Sequence, residues 1–390
     1  MTQPLKIGVL GYRFMGKAHA NALARLPMFF PDAPDVERHT LVGRDEEALA
    51  EAADRFGFSH TATDWAAAID EVDVFYNLGP NHVHAEPSIA ALEAGVPVLC
   101  EKPLAPTLDE AAAMRDAAAE ADVPAGTAFN YRFVPAIRYA KGLIEDGELG
   151  EIRQVRGRYL QDWLVDPEAP WAWRMDADMA GSGALGDLGA HTIDLADFLV
   201  GDEVGEIDRL SGHLRTFVDE RPVYADGDSG EDGDGGDDAD DPAVEEYRDV
   251  TVDDAYSAQV AYESGATGTF EATRFATGHK NDHTIEVHGS KGSLKFSLER
   301  LNELEVLREG DRGYQTVLVT DETDPYVDHW WPPGHVIGWE HTFVHEDYEF
   351  LSAVADGEAF EPSFEQGYAV QTLLDAIGRA DERGEWVSVA

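Results

Sequence analysis

Apolar residues in the first 130 positions fall into short runs set between longer amphipathic stretches. The run LKIGVL at 5–10 predicts a buried strand, and the apolar spacing over 15–26 predicts the helix after it. The alternation repeats, with strands at 39–43, 72–78, 96–100 and 125–129 and helices at 45–56, 82–94 and 108–121. Strands that are apolar throughout, each followed by a helix, make an α/β unit with a doubly wound parallel sheet. The pattern changes after residue 130. A helix at 134–145 leads into an alternating strand at 152–164, and a glycine-rich bend at 181–186 introduces a helix at 187–199. Strand-like runs separated by turns fill 250–319, which predicts a large and mostly antiparallel open sheet. Helices at 339–355 and 367–380 close the chain. The expected division is 1–127 for the first domain and 128–390 for the second, since 390 residues exceed one ordinary core.

Charge changes the picture more than composition does. The chain carries 77 Asp and Glu against 29 Lys and Arg, a net charge of −48. That sign repels nucleic acid and anionic membrane surfaces, which excludes both as expected partners. The acids are spread along helix faces, which suits a protein that works in concentrated salt, where repulsion is screened. Raising KCl from about 0.2 to about 3 M is expected to raise the melting temperature strongly; a flat response removes the halophilic reading. Residues 226–241 (DGDSGEDGDGGDDADD) form an acidic low-complexity stretch, expected to be a disordered surface loop. They lack the closing glutamate and flanking helices of a calcium-binding EF-hand. The single cysteine, Cys100, excludes an internal disulfide. No run of 18 apolar residues occurs, and the first strand starts almost at residue 1, so the expected location is cytoplasmic.

Candidate chemistry sits at the strand ends. Gly11, Arg13, Phe14, Met15 and Gly16 occupy the turn between the first strand and helix, where a dinucleotide pyrophosphate meets helix N–H groups. Arg13 stands where the fingerprint has its middle glycine. At the end of the second strand, Gly43 leaves room for a 2′-phosphate and Arg44 can pair with it. Asp45 is the alternative, an acid on the ribose. NAD(P) is therefore the expected cofactor, with a lean towards NADP. No metal is expected; His341 and His345 have helical spacing but lack the metalloprotease order.

Lys102 follows the fourth strand at the edge where open α/β sheets bind ligands, and can steady an alkoxide. Asp187 and His191 are spaced i and i+4, so a carboxylate can orient an imidazole as general base. Each also has a plain reading, a surface charge for Lys102 and a helix cap for the pair. Gln161, Asp162, Trp163, Trp173 and Arg174 mix amide, acid, cation and aromatic faces in a way that suits a polyol.

Taken together, GYRFMGKAH at 11–19, PNHVH at 80–84, EKP at 101–103, NYR at 130–132 and Asp187…His191 resemble the Gfo/Idh/MocA oxidoreductases, the glucose-fructose oxidoreductase and inositol dehydrogenase group. The segments PMFF at 27–30, YLQDW at 159–163, GSGALGD at 181–187 and WWPPGH at 330–335 are similar to its levoglucosan dehydrogenase-like branch. The resemblance covers nearly the whole chain. It implies a Rossmann domain joined to an open-sheet domain whose free face makes a homodimer or homotetramer. It implies proton handling by Lys102 and His191, orientation by Asp187, and Pro80, Asn81, His84 and Glu101 at the cofactor. It further suggests Asn130, Arg132, His335 and His341 at the substrate. The expected activity is reversible oxidation of a secondary hydroxyl on a sugar, anhydrosugar or inositol-like polyol. A dinucleotide-binding redox sensor without turnover, or glycoside cleavage assisted by held nicotinamide, are the alternatives.

Overall fold

The computed structural model describes residues 3–224 and 243–389; the acidic stretch 226–241 lies outside them. Six strands make the first sheet: β1 (Leu5–Leu10), β2 (Val36–Val42), β3 (His60–Ala62), β4 (Val74–Asn77), β5 (Val98–Glu101) and β6 (Ala125–Ala128). Their order is β3-β2-β1-β4-β5-β6, and every pairing is parallel. β4 and β5 are buried at every residue, which is why they read as continuous apolar runs. The short edge strand β3 was not expected, because three residues with two exposed carry too little apolar pattern.

The second half supplies β7 (Ile152–Leu160), β8 (Ile207–Arg215), β9 (Glu220–Tyr224), β10 (Val244–Asp249), β11 (Ala255–Tyr262), β12 (Thr267–Thr273), β13 (Asp282–Gly289), β14 (Ser293–Ser297), β15 (Glu303–Leu307), β16 (Gln315–Leu318) and β17 (Val387–Ser388). Nine of them form one sheet in the order β16-β15-β14-β13-β7-β12-β11-β8-β17. Only β7 and β12 run parallel; the other pairings are antiparallel. β9 and β10 form a separate hairpin on either side of the undescribed stretch.

One face of the large sheet is covered by the helix Ala190–Val204. A Cβ on Gly157 of β7 would lie 2.3 Å from Thr192 Cγ2, so only glycine admits that close approach. The opposite face presents polar side chains, among them Arg156, Gln259, Glu271, Glu286, Lys295 and Glu305.

Three expected elements needed correction. The strand at 152–164 ends at Leu160, where the chain turns into the cleft. The helix at 187–199 is a π-turn, Leu185–Gly189, continued by the α-helix Ala190–Val204; such turns recur at functional sites. The last helix, Phe364–Arg383, does not simply close the second half. It returns to the parallel sheet: Thr127 N–H of β6 donates to Pro362 O at 2.8 Å. Phe364 is fully buried among Val98, Ala111, Met114 and Ala125.

No helix of the described residues is long and apolar enough to cross a membrane.

Candidate active site

The carboxyl ends of β1, β4 and β5 open into a cleft of about 650 Å³, whose far wall comes from β7, the loop after it and the helix His341–Asp356. Gly11 ends β1 at φ +104°, and a Cβ there would lie 2.5 Å from Leu78 O, so glycine is required on both counts. A Cβ on Gly16 would lie 2.2 Å from Gly11 O, which explains the second glycine as helix–strand contact. Arg13 has φ −81°, so this position does not need the positive φ that would call for a glycine. The helix Phe14–Phe29 starts without a side-chain cap or an acid in its first turn. Its N–H groups and positive dipole end fit a dinucleotide pyrophosphate. Phe14 and Met15 line the cleft, and the half-exposed Phe14 stacks on Trp339 across it, with ring centroids 5.5 Å apart.

The end of β2 departs from one expectation. Asp45 does not turn towards a ribose; its Oδ1 caps the next helix, accepting from Glu47 N–H at 3.0 Å and Ala48 N–H at 3.1 Å. Gly43 packs under the Tyr12 ring, where a Cβ would come within 2.2 Å of Cε1. Arg44 is exposed, and its charge, after partial burial, helps lower the His82 pKa.

Pro80 and Asn81 line the cleft, and Asn81 Nδ2 donates to Ala180 O at 2.9 Å, tying the two halves together. His84 does not reach the cofactor region. It is fully buried, with Nδ1 3.1 Å from Pro103 O and Nε2 2.9 Å from Gly79 O, so it braces the two loops that do.

Lys102, Asp187 and His191 meet in the cleft although 85 residues separate the first two. Lys102 Nζ donates to Asp187 O at 2.8 Å and to Asp187 Oδ1 at 3.2 Å. Burial works against the Asp187 charge, yet Lys102, with Arg174 and Arg274 behind it, holds the carboxyl below its usual range. Burial, then the charges of Lys102 and His283, push the His191 pKa well below that of free imidazole. His191 is thus neutral at pH 7, the form a general base needs, and the same causes weaken its basicity. The expected Asp187–His191 hydrogen bond is absent: Asp187 faces Lys102, and His191 Nδ1 is buried without a partner. The imidazole is held by packing against Tyr131, ring centroids 4.5 Å apart.

Of the residues expected at the substrate, Asn130, Gln161, Trp163, Trp173 and Arg174 line the cleft. The others do not. Arg132 is buried in an ion pair with Asp194, Nη2 to Oδ1 at 2.7 Å. Asp162 acts one step back, gripping Lys280 at 2.9 Å so that the lysine borders the cleft. His335 is exposed, with Nδ1 2.7 Å from Pro332 O. His341 accepts the Gly338 N–H at 3.1 Å and packs on Trp330. His345 is also committed, accepting from Trp330 Nε1 at 2.7 Å.

A hydrogen-bonded rim was not foreseen. Trp339 Nε1 donates to Tyr131 OH at 3.3 Å, which contacts Tyr159 OH at 2.9 Å. Tyr159 donates to Asn281 Oδ1 at 2.6 Å, and Gln161 Nε2 donates to the same oxygen at 2.8 Å. The alternation of β7 places Tyr159 on the covered face. Nothing local marks Asn281, which arrives through the pairing of Asp282 with Leu160.

The sequence pattern described as the oxidoreductase family with an NAD-binding Rossmann fold matches residues 5–129. The GFO/IDH/MocA C-terminal domain matches residues 137–295. The chain belongs to the GFO/IDH/MocA oxidoreductase family. Within it, levoglucosan dehydrogenase of Pseudarthrobacter phenanthrenivorans is 42% identical over 396 aligned residues, spanning 99% of this chain and 98% of that protein. The solved structure of levoglucosan dehydrogenase in complex with NADH and levoglucosan is 40% identical, with a TM-score of 0.90 over 99% of this chain and 100% of that one. An oxidoreductase domain protein from Kribbella flavida is 44% identical, with a TM-score of 0.91 over the full length of both chains. Membership makes this chain an oxidoreductase with a dinucleotide-binding half, and the glycine turn at 11–16 fits that cofactor on its own geometry.

Proposed function

We propose that this protein is an NAD(P)-dependent dehydrogenase that reversibly oxidises one secondary hydroxyl of a sugar, anhydrosugar or inositol-like polyol, with levoglucosan the first compound to try. The observation that carries the reading is the convergence of Lys102, Asp187 and His191 on a cleft whose other end is the Gly11–Gly16 turn. The bound nicotinamide supplies hydride acceptance. The protein's own residues supply the rest. His191, kept neutral by burial and by Lys102, takes the hydroxyl proton. The Lys102 ammonium steadies charge developing on the substrate oxygen, and Asp187 holds that ammonium through two hydrogen bonds. The rim of Tyr131, Tyr159, Gln161 and Asn281 offers donors and acceptors to the remaining hydroxyls, and Trp163 and Trp173 offer flat faces. A screen of aldoses, anhydrosugars and inositols with both cofactors tests it; reduction of NAD(P) by none of them overturns it.

For the cofactor we infer a preference for NADP. Asp45 is engaged as a cap and Arg44 is exposed beside Gly43, which favours a 2′-phosphate over a bare ribose. Arg44→Ala is expected to weaken NADP by roughly tenfold or more and NAD by far less, read by fluorescence titration. Equal losses would assign Arg44 to adenine or to structure. Gly43→Asp would not invert the preference, because its Cβ collides with Tyr12; it should weaken both cofactors. The family resemblance implies assembly as a homodimer or homotetramer through the open face of the nine-stranded sheet, checked by light scattering, and the chain's composition suits a cytoplasmic setting.

A further inference from the structure

Behind the cleft lies a buried cluster of ionisable groups with no part in the chemistry above. His19, on the helix Phe14–Phe29, is fully buried, with Nδ1 2.9 Å from Asp347 Oδ1. Its Nε2 lies 3.7 Å from Glu101 Oε1, an ion-pair distance too long for a hydrogen bond. Glu346 is buried beside them, and neither of its carboxyl oxygens has a hydrogen-bond partner. Burial pushes its pKa well above the carboxylate range, while the His19 charge pulls the other way. Tyr76 and Phe343 turn their edges to the imidazole at 5.5 and 5.2 Å between centroids. The ionisable groups facing His19 are therefore Asp347 and Glu346 from the helix His341–Asp356, Glu101 from the end of β5, and Tyr76 from β4.

Burial opposes a charge on His19, but Asp347, with help from Glu101 and Glu346, outweighs it and raises the pKa to about 10. The ring is an imidazolium at neutral pH. Glu101 is the member of the cluster that borders the cleft. Its Oε2 accepts the Lys102 backbone N–H at 3.1 Å, while Oε1 makes no hydrogen bond and faces the imidazolium. A carboxylate held by one oxygen can swing about that contact; a fixed cation at the other oxygen stops it.

We propose that His19 is a positioning residue: Asp347 holds its imidazolium against Glu101 and thereby fixes the Glu101–Lys102 turn from which the lysine reaches the cleft. The proposal rests on the dehydrogenase reading through the role of Lys102. It also makes the turn depend on docking of the two halves, since Asp347 belongs to the second.

The test uses the full chain with a confirmed sugar substrate. The variants are Asp347→Asn, His19→Gln, Glu101→Gln and the double variant His19→Gln/Glu101→Gln, each measured for kcat, KM and cofactor affinity. In Asp347→Asn the largest charge that keeps the proton on His19 is gone while Glu101 remains beside the ring, so the pKa falls from about 10 into the assay range. Its kcat should then fall roughly tenfold between about pH 6 and about pH 9, a limb the parent lacks. His19→Gln should lose kcat by a similar factor at every pH, with KM nearly unchanged. The double variant should be no worse than Glu101→Gln alone, because His19 acts through Glu101. A parent-shaped pH profile in Asp347→Asn, or additive losses in the double variant, would overturn the proposal. If the variants do not fold, nitrogen-15 NMR of histidine-labelled parent protein decides: an imidazolium at about pH 8 is expected for His19, and a neutral ring overturns the proposal. Failure of the parent to turn over any sugar would sink the dehydrogenase reading instead, and leaves the NMR result interpretable.

Discussion

Lys102→Ala and His191→Ala are each expected to slow hydride transfer by roughly 10²–10⁴, the range for a positioned acid–base group. Lys102 stands at the end of β5 and His191 on the helix Ala190–Val204, yet both border one cleft. Cofactor affinity should hold, because neither residue is at the Gly11–Gly16 turn that receives the pyrophosphate. The double variant should be less impaired than the product of the singles, as both act on one proton. The geometry adds a point that spacing alone missed. Because Asp187 binds Lys102 rather than His191, Asp187→Asn should resemble Lys102→Ala and leave the imidazole's behaviour unchanged. Single-turnover reduction of NAD(P), with cofactor titration alongside, measures all of these. Near-parental rates in both single variants would remove Lys102 and His191 from the chemistry and overturn the assigned acid–base roles.

The second large effect concerns stability. Arg132→Ala removes the cation from a pair whose two side chains are almost wholly buried, leaving Asp194 with no opposite charge in contact. Breaking such a pair costs about 3–5 kcal/mol. Burial already raises the Asp194 pKa to about 6 in spite of Arg132. Its folded value lies above its unfolded one, so the charged form destabilises the fold as pH rises past it, and protonation removes that cost at low pH. Without Arg132 the folded value climbs further. The variant's deficit in denaturant unfolding should therefore be large near about pH 8 and smaller near about pH 5. A normal midpoint with a raised KM would instead restore Arg132 to the substrate.

Arg132 shows where reading the chain alone runs out. The NYR segment marks the motif, but a buried arginine that meets an acid 62 residues away looks the same in one dimension as one that meets a ligand. The parallel sheet was legible because β4 and β5 are fully buried and β1 has no exposed residue, so all three are dominated by apolar side chains. Lys102, Asp187 and His191 were legible because each sits at a strand end or helix start that topology brings to one edge. The direction of the Asp187 carboxylate was not, since it depends on a lysine from another sheet. Asn281 and the His19 cluster were invisible for the same reason: sheet register and the docking of the two halves create them.

The return of the last helix to the first sheet bears on how this protein is made. Phe364 fills the core beside Met114 and Ala125, and β6 gains backbone partners at Pro362 and Ser363. A ribosome has delivered the whole parallel sheet some 230 residues before it delivers these groups. Until then the flank of β6 remains uncovered, and the nascent chain exposes apolar surface where Phe364 will sit. Loss of the final 30 residues would leave that flank bare permanently, so a premature stop near the end of the message should be harmful to solubility out of proportion to the length it removes.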